Sequence, residues 1–206
     1  MEIFNYGQKE LDYLKRKDKR LGEIIERIGL IERQVTPDLF EALVECIVSQ
    51  QISNKAAETV SRRLKELLIE FTPENVAKTN HFDIQRCGMS LKKASYIKIA
   101  ADAVLSGTVN LDHFPQMKDE EIIEQLISLP GIGIWTAEML MIFSLQRLNI
   151  LSYDDLIIRR GIMKLYEHTE LTKELFEKYK KRYSPYGSIA SLYLWELAQK
   201  PEVELQ

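Results

Sequence analysis

The turn Leu129-Pro130-Gly131-Ile132-Gly133 constrains this chain more than any other stretch, because it must end one helix and begin another within a few residues. Two glycines flanking one apolar residue let the backbone pass close to an anion with no Cβ in the way. The helix predicted to follow aims its N–H groups and the positive end of its dipole at the same place. Such a turn suits a DNA backbone and reads no bases, since phosphate contacts position a protein and carry no sequence information themselves.

Around this turn the chain reads as helix after helix. Thr36-Pro37 fits an N-cap followed by a first helical residue, and Leu39, Phe40, Leu43, Val44, Ile47 and Val48 then repeat with helical period. Ser53 starts a helix whose apolar stripe is Ala56, Ala57, Val60, Leu64, Leu67, Leu68 and Phe71. Thr72-Pro73 begins a short one, and Cys87-Gly88 closes a further turn. Ser90 caps a helix through Ala94, Ile97, Ala101 and Val104, with Gly107 where a C-terminal glycine belongs. Asp119 opens the helix that enters the turn. Beyond it, helices are predicted over 135–144, 155–166, 172–183 and 187–199, with a loop over 146–152. Strand signals are nearly absent. With no repeat or long linker, the expected fold is all-α: two helical lobes, about 37–128 and about 1–36 plus 129–206, with a cleft between them.

The 206 residues, 45% of them hydrophobic, suffice for a sizeable core. A formal charge of -3 is unusual for a protein that relies on phosphate attraction, so DNA contact requires a local basic face. Arg62-Arg63-Lys65, Lys92-Lys93, Arg159-Arg160 and Lys180-Lys181-Arg182 are the clusters available, although charge runs are ordinarily solvated helix faces. Cys46 and Cys87 do not form a pair with metal-ligand spacing, so zinc and iron–sulfur chemistry lack a ligand set. Cys46 lies among apolar residues and reads as a buried, inert thiol, and the chain suits a reducing compartment. The amino end, Met1 to Tyr6, lacks a signal-peptide pattern, and no apolar run approaches the length of a membrane span.

Asp154-Asp155 has two readings. Aspartate is a favoured helix N-cap, which makes a structural role the default on position alone. A carboxylate close to a phosphate-gripping turn can also stabilise a cation developing at a sugar C1′ and position the attacking water. Arg159, four residues after Asp155, offers an i,i+4 pair. Trp195, amid Ile189, Leu192, Tyr193, Leu194 and Leu197, reads as ordinary core by itself.

Taken together these residues resemble the helix-hairpin-helix DNA glycosylases, the HhH-GPD superfamily, whose signature is the hairpin followed by a loop and a catalytic aspartate. Leu129 to Gly133 corresponds to the hairpin, and Asp155 falls at the aspartate. Phe40-Glu41-Ala42-Leu43-Val44 leading into Ser49-Gln50-Gln51-Ile52-Ser53 is similar to the family's stretch that fills the gap left by a flipped base. Cys87-Gly88-Met89-Ser90-Leu91-Lys92-Lys93-Ala94 and Tyr183-Ser184-Pro185-Tyr186-Gly187-Ser188 through Trp195 are similar to later family segments, so the resemblance spans nearly the whole chain.

The resemblance implies a helix-hairpin-helix fold with Asp155 as the catalytic carboxylate. Where bifunctional members carry a lysine this chain has Trp135, which cannot form a Schiff base, so it implies a monofunctional enzyme that leaves an abasic site. The four-cysteine cluster of the endonuclease III branch is missing, and no room remains before Asp38 for an amino-terminal β-rich domain. Trp135, Asp154-Asp155 and Trp195 look most like the alkylation-repair branch, 3-methyladenine DNA glycosylase II. Purines methylated at N3 or N7 are cationic, leave readily, and suit an aromatic pocket, where a desolvated cation–π contact is worth on the order of 1–2 kcal/mol.

The implied base pocket is Trp195, Trp135, Tyr193 and Met139; the implied phosphate grip is Leu129, Pro130, Gly131, Ile132, Gly133 and Thr136. Gln50 and Gln51 are the candidates for the wedge, with capping of the preceding helix as the plain alternative. No cofactor and no metal are required, although relatives hold a monovalent cation on hairpin carbonyls. The expected partner is damaged double-stranded DNA, with no membrane, for a monomer in the cytoplasm, nucleoid-associated in a prokaryote. A glycosylase for uracil, a mismatched or an oxidised base, and a non-catalytic DNA-binding module, are the alternatives. Gly187 departs from the arginine that relatives often carry there.

Overall fold

The computed structural model describes residues 2–199; Met1 and residues 200–206, included in the expected lobe 1–36 plus 129–206, lie outside the described residues. The helices are α1 (Gln8–Lys17), α2 (Lys19–Ile28), α3 (Leu39–Ser49), α4 (Asn54–Leu68), α5 (Pro73–Lys78), α6 (His81–Arg86) and α7 (Leu91–Leu105). They continue as α8 (Asp119–Ile127), α9 (Ile134–Phe143), α10 (Leu156–Tyr166), α11 (Lys173–Tyr183) and α12 (Gly187–Gln199), with a 3-10 turn at Leu111–Gln116. Among the described residues one isolated bridge, Ile3 with Gln34, is the extended pairing present. The molecule is therefore all-α, and no described helix is long and apolar enough to cross a membrane.

The chain divides into two compact units, Thr36–Leu140 and the terminal segments up to Val35 and from Met141. The hairpin, grouped by the sequence with the terminal segments, falls in the central unit, because α9 carries it and the boundary comes only after Leu140.

In the central unit most helix starts are set by one side chain accepting an orphan amide. Ser53, Thr72 and Ser90 do this for α4, α5 and α7, as their positions predict. The start of α3 differs from expectation. Asp38, not Thr36, is the N-cap, and its carboxylate accepts the Glu41 amide at 2.7 Å, a stronger acceptor at the positive helix end than a hydroxyl. Lys98 reaches across from α7 and donates to the carbonyls of Val76, Ala77 and Thr79, closing the C-terminal end of α5. Leu43, Ile47, Leu64, Ile84, Ile97, Ala101 and Phe114 are buried at the centre.

The terminal unit packs α2, α10 and α12 together. Gly161 on α10 makes that approach possible: a Cβ there would lie 2.4 Å from the Leu194 carbonyl oxygen. Asp18 is the sole residue between α1 and α2 and works on both sides. One oxygen accepts the Leu21 amide at 3.0 Å, while the other accepts from Arg182 at 2.8 Å and from the Tyr166 hydroxyl. Tyr166 in turn shares a 2.7 Å bond with the Tyr183 hydroxyl. The buried carboxylate is thereby compensated on all sides, as a charge in a core requires.

Candidate active site

Asp155 ends the loop before α10 and is the helix N-cap. Its Oδ1 accepts the amides of Ile157 at 2.8 Å and Ile158 at 2.9 Å. A cap needs nothing more, yet Oδ2 has a further partner: the Trp195 indole Nε1 donates to it at 3.1 Å from α12. The residue is only 5% exposed, whereas Asp154 beside it is exposed, which separates the two members of the acidic pair. Capping thus fixes one oxygen of Asp155 and leaves the second to face an aromatic donor.

Trp195 is half-buried and stacks on Phe143, with ring centroids 5.6 Å apart and planes 28° apart. The Arg33 guanidinium lies 5.7 Å from the Phe143 centroid, extending the stack. An indole held on one face by Phe143 and at its edge by a carboxylate keeps a fixed orientation. Phe143 and Arg33 escape sequence reasoning, since an apolar residue ending a buried helix and an arginine in a loop carry no distinguishing signal.

Tyr193 does not belong with this surface. It is fully buried and its hydroxyl donates to the Gly29 carbonyl at 2.9 Å, so the ring has no face for a base. Its position two residues before Trp195 turns it inward on a helix, where neighbours i and i+2 do not share a face. Arg159 lies with its guanidinium 5.2 Å from the Tyr153 ring centroid.

In the central unit the hairpin is a tight turn closed by the Ile132 amide donating to the Leu129 carbonyl at 3.2 Å. Leu129 and Ile132 are buried and anchor it, while Gly131 and Gly133 are exposed. The glycines serve different purposes. Gly131 has φ +85 and a Cβ there would lie 2.5 Å from the Tyr96 ring, so both backbone conformation and packing demand glycine. Gly133 meets nothing within 4 Å and marks open space at the start of α9. Pro130 is half-buried, and Thr136 is buried, leaving its side chain little surface to offer. Trp135 is 46% exposed, and Met139 is buried further along α9.

The two glutamines part company. Gln50 is held, its side-chain Nε2 donating to the Gly131 carbonyl at 2.8 Å. Gln51 is exposed and takes a left-handed φ of +57. Lys93 sits behind both, its ammonium donating to the carbonyls of Val48 at 2.8 Å and Gln50 at 2.6 Å, and burial lowers its pKa. Lys93 and Tyr96 are the residues missed by sequence, because a lysine within a charge run reads as a solvated face. The other clusters are partly spent on structure too: Arg62 pairs with Glu66, Lys65 with Glu41 and Glu45, and Arg182 with Asp18.

Cys46 is half-buried rather than buried, and burial with Glu45 nearby pushes its thiol up to about 11, which keeps it unreactive. Gly187 is buried, with a Cβ position 3.2 Å from the Ile150 backbone, so a side chain there would require that backbone to give by a few tenths of an ångström. Among the described residues no group of three or more metal-ligating side chains gathers.

The chain belongs to the HhH-GPD superfamily of base excision DNA repair proteins, whose family model matches residues 44–185. Among individual proteins it is similar to DNA-3-methyladenine glycosylase 1 of Schizosaccharomyces pombe, 34% identical over 186 residues that cover 88% of this chain and 82% of that one. The crystal structure of a Bacillus halodurans DNA-3-methyladenine glycosidase matches with a TM-score of 0.89 at 34% identity, covering 99% of this chain and 96% of that one. A Schizosaccharomyces pombe 3-methyladenine DNA glycosylase in complex with abasic DNA matches with a TM-score of 0.82 at 29% identity, over 96% of this chain and 100% of that one.

Proposed function

We propose that the protein is a monofunctional DNA glycosylase that flips alkylated purines out of duplex DNA and releases them by hydrolysis, with Asp155 as the catalytic carboxylate. The observation that carries this reading is the division of labour at Asp155, whose Oδ1 is fixed by two amides and whose Oδ2 meets the Trp195 N–H. A carboxylate so restrained is positioned to stabilise positive charge at C1′ and to orient a water, with no reorganisation during the reaction. Trp195 supplies the aromatic surface on which a cationic base stacks. The names of the similar proteins support alkylated purines as the substrate class.

Gly131, Gly133 and the first turn of α9 form the phosphate grip, and main-chain carbonyls of the hairpin are the place for a monovalent cation. Trp135 instead of lysine leaves no amine to attack the sugar, so an intact abasic strand is the product. The two units act together as one glycosylase on damaged duplex DNA, as a monomer in the cytoplasm.

Asp155→Asn is the direct test. Asparagine is as good an N-cap as aspartate, so the helix survives while the charge is lost. Release of methylated base should stop, and binding to duplex carrying an abasic-site analogue should persist. Undiminished release from the variant would overturn the assignment.

A further inference from the structure

The central unit has two ends. At one, the C-terminal end of α3 meets the hairpin through Gln50 and Gly131, and the beginning of α7 is fastened there by Lys93, with Tyr96 beside Gly131. At the other, the start of α3 and the end of α7 flank an open groove of about 880 Å³, together with the segment between α4 and α5 and the 3-10 turn. Helices of 11 and 15 residues run between the two ends, about 16 Å along α3 and about 22 Å along α4 or α7. A molecule in the groove therefore leaves the hairpin clear.

The groove is apolar along its walls and acidic at its rim. Phe40 is buried in it, Phe71 is half-buried and Leu105 is exposed, while Asp38, Glu74 and Asp112 stand exposed around them. Among the described residues no lysine or arginine lines it. Lys65, whose ammonium lies 5.6 Å from the Phe71 ring centroid, is already held by Glu41 at 2.6 Å and Glu45 at 3.3 Å. Such a rim repels phosphate and attracts cations, so DNA is not its occupant.

Ile69, two residues before Phe71, is 88% exposed at φ +66. Glycine is the usual residue where a helix ends at positive φ, and a β-branched side chain there is strained. With its side chain in solvent, packing within the chain does not offset that strain. Leu67 on the last turn of α4 and Leu105 at the groove are 39% and 47% exposed, which adds apolar surface. A small polyamine would use the carboxylates and leave these side chains wet, whereas a protein segment covers both.

We propose that this groove docks a segment of another protein that carries lysine or arginine beside an apolar anchor, whatever the site at Asp155 does to DNA. The basic side chains meet Asp38, Glu74 and Asp112, and the anchor packs against Phe71, Leu105 and Ile69. The distance from the hairpin lets both ends of the central unit be occupied together, so a partner held here stays with the protein while it is on a duplex.

The probe is a fluorescently labelled synthetic peptide alternating leucine and lysine, followed by anisotropy on the full chain. Peptides alternating leucine with glutamate, and serine with lysine, are the controls for charge and for the anchor. The leucine–lysine peptide should bind saturably, roughly tenfold or more tighter than either control, and lose affinity as salt rises. Asp38→Asn, Glu74→Gln and Asp112→Asn combined should weaken it roughly tenfold, and asparagine still caps α3. Ile69→Gly, which relieves the backbone, should weaken it severalfold without lowering the urea midpoint. Duplex carrying an abasic-site analogue should not displace the peptide. Comparable binding of either control, full affinity in the triple variant or in Ile69→Gly, or displacement by duplex would overturn the proposal. So would self-association of the chain that the same substitutions abolish, because the groove would then belong to a second copy.

Discussion

Trp195 Nε1 donates to Asp155 Oδ2 at 3.1 Å across forty positions of chain, joining α12 to the cap of α10. An N–H given to a carboxylate contributes about 1.5–3 kcal/mol. Trp195→Phe keeps an aromatic face on Phe143 and removes that donor alone. Single-turnover base release is expected to fall roughly ten- to a hundredfold, with little change in thermal midpoint. An unaltered rate would show that the indole does not orient the carboxylate.

Gly131 and Gly133 separate packing from binding. Gly131→Ala places a methyl 2.5 Å from the Tyr96 ring at φ +85, so a stability loss of about 1–3 kcal/mol is expected in urea unfolding. Gly133→Ala meets open space and should leave stability nearly intact while weakening affinity for abasic-analogue duplex. If Gly133→Ala binds as wild type does, the hairpin does not approach the phosphate there.

Gly161→Ala tests the terminal unit alone. The added methyl would sit 2.4 Å from a backbone oxygen of α12, and backbone cannot swing aside as a side chain does. A loss of about 1–3 kcal/mol or more is expected, together with reduced base release, because α10 and α12 carry Asp155 and Trp195. A fully stable variant would contradict the packing described.

Alkali should unfold the protein earlier than exposed tyrosines and thiols would allow. Burial, with Tyr166 and Asp18 adjacent, holds the Tyr183 hydroxyl well above its ordinary 10.0, and burial moves Cys46 from 9.0 to about 11. Both groups keep their proton longer in the folded state. Their contribution is therefore complete below pH about 9 and drains away as pH rises, first through the Cys46 window of 9.0 to about 11 and from 10.0 upward for Tyr183. The urea midpoint should decline from pH 9 upward, and Tyr183→Phe should decline less steeply; parallel curves would refute the linkage.

Much of the architecture is written in caps. Ser53, Thr72, Ser90, Asp155 and Thr172 each accept an amide at the helix start their position predicts, because capping is settled within three or four residues. The pair α1 and α2 was missed although Leu21, Ile24, Ile25 and Ile28 followed by Gly29 carry the signal. One residue, Asp18, divides them, and its capping competence hides in a run of charges. Residue roles were less legible. Nothing local distinguishes Gln50 from Gln51, whose difference lies in a carbonyl eighty-one positions away. Tyr193 and Trp195 likewise differ only in the direction they leave α12, which the partners Gly29 and Asp155 decide.

The division into an uninterrupted middle, Thr36–Leu140, and a unit assembled from both ends sets an order of events during synthesis. Leu21, Ile24 and Ile25 on α2 are made before α10 and α12, against which α2 packs. Until those helices exist, the apolar face of α2 lacks the partners that bury it. The hairpin of the middle unit is likewise made before Asp155 and before Trp195, whose indole donates to that carboxylate.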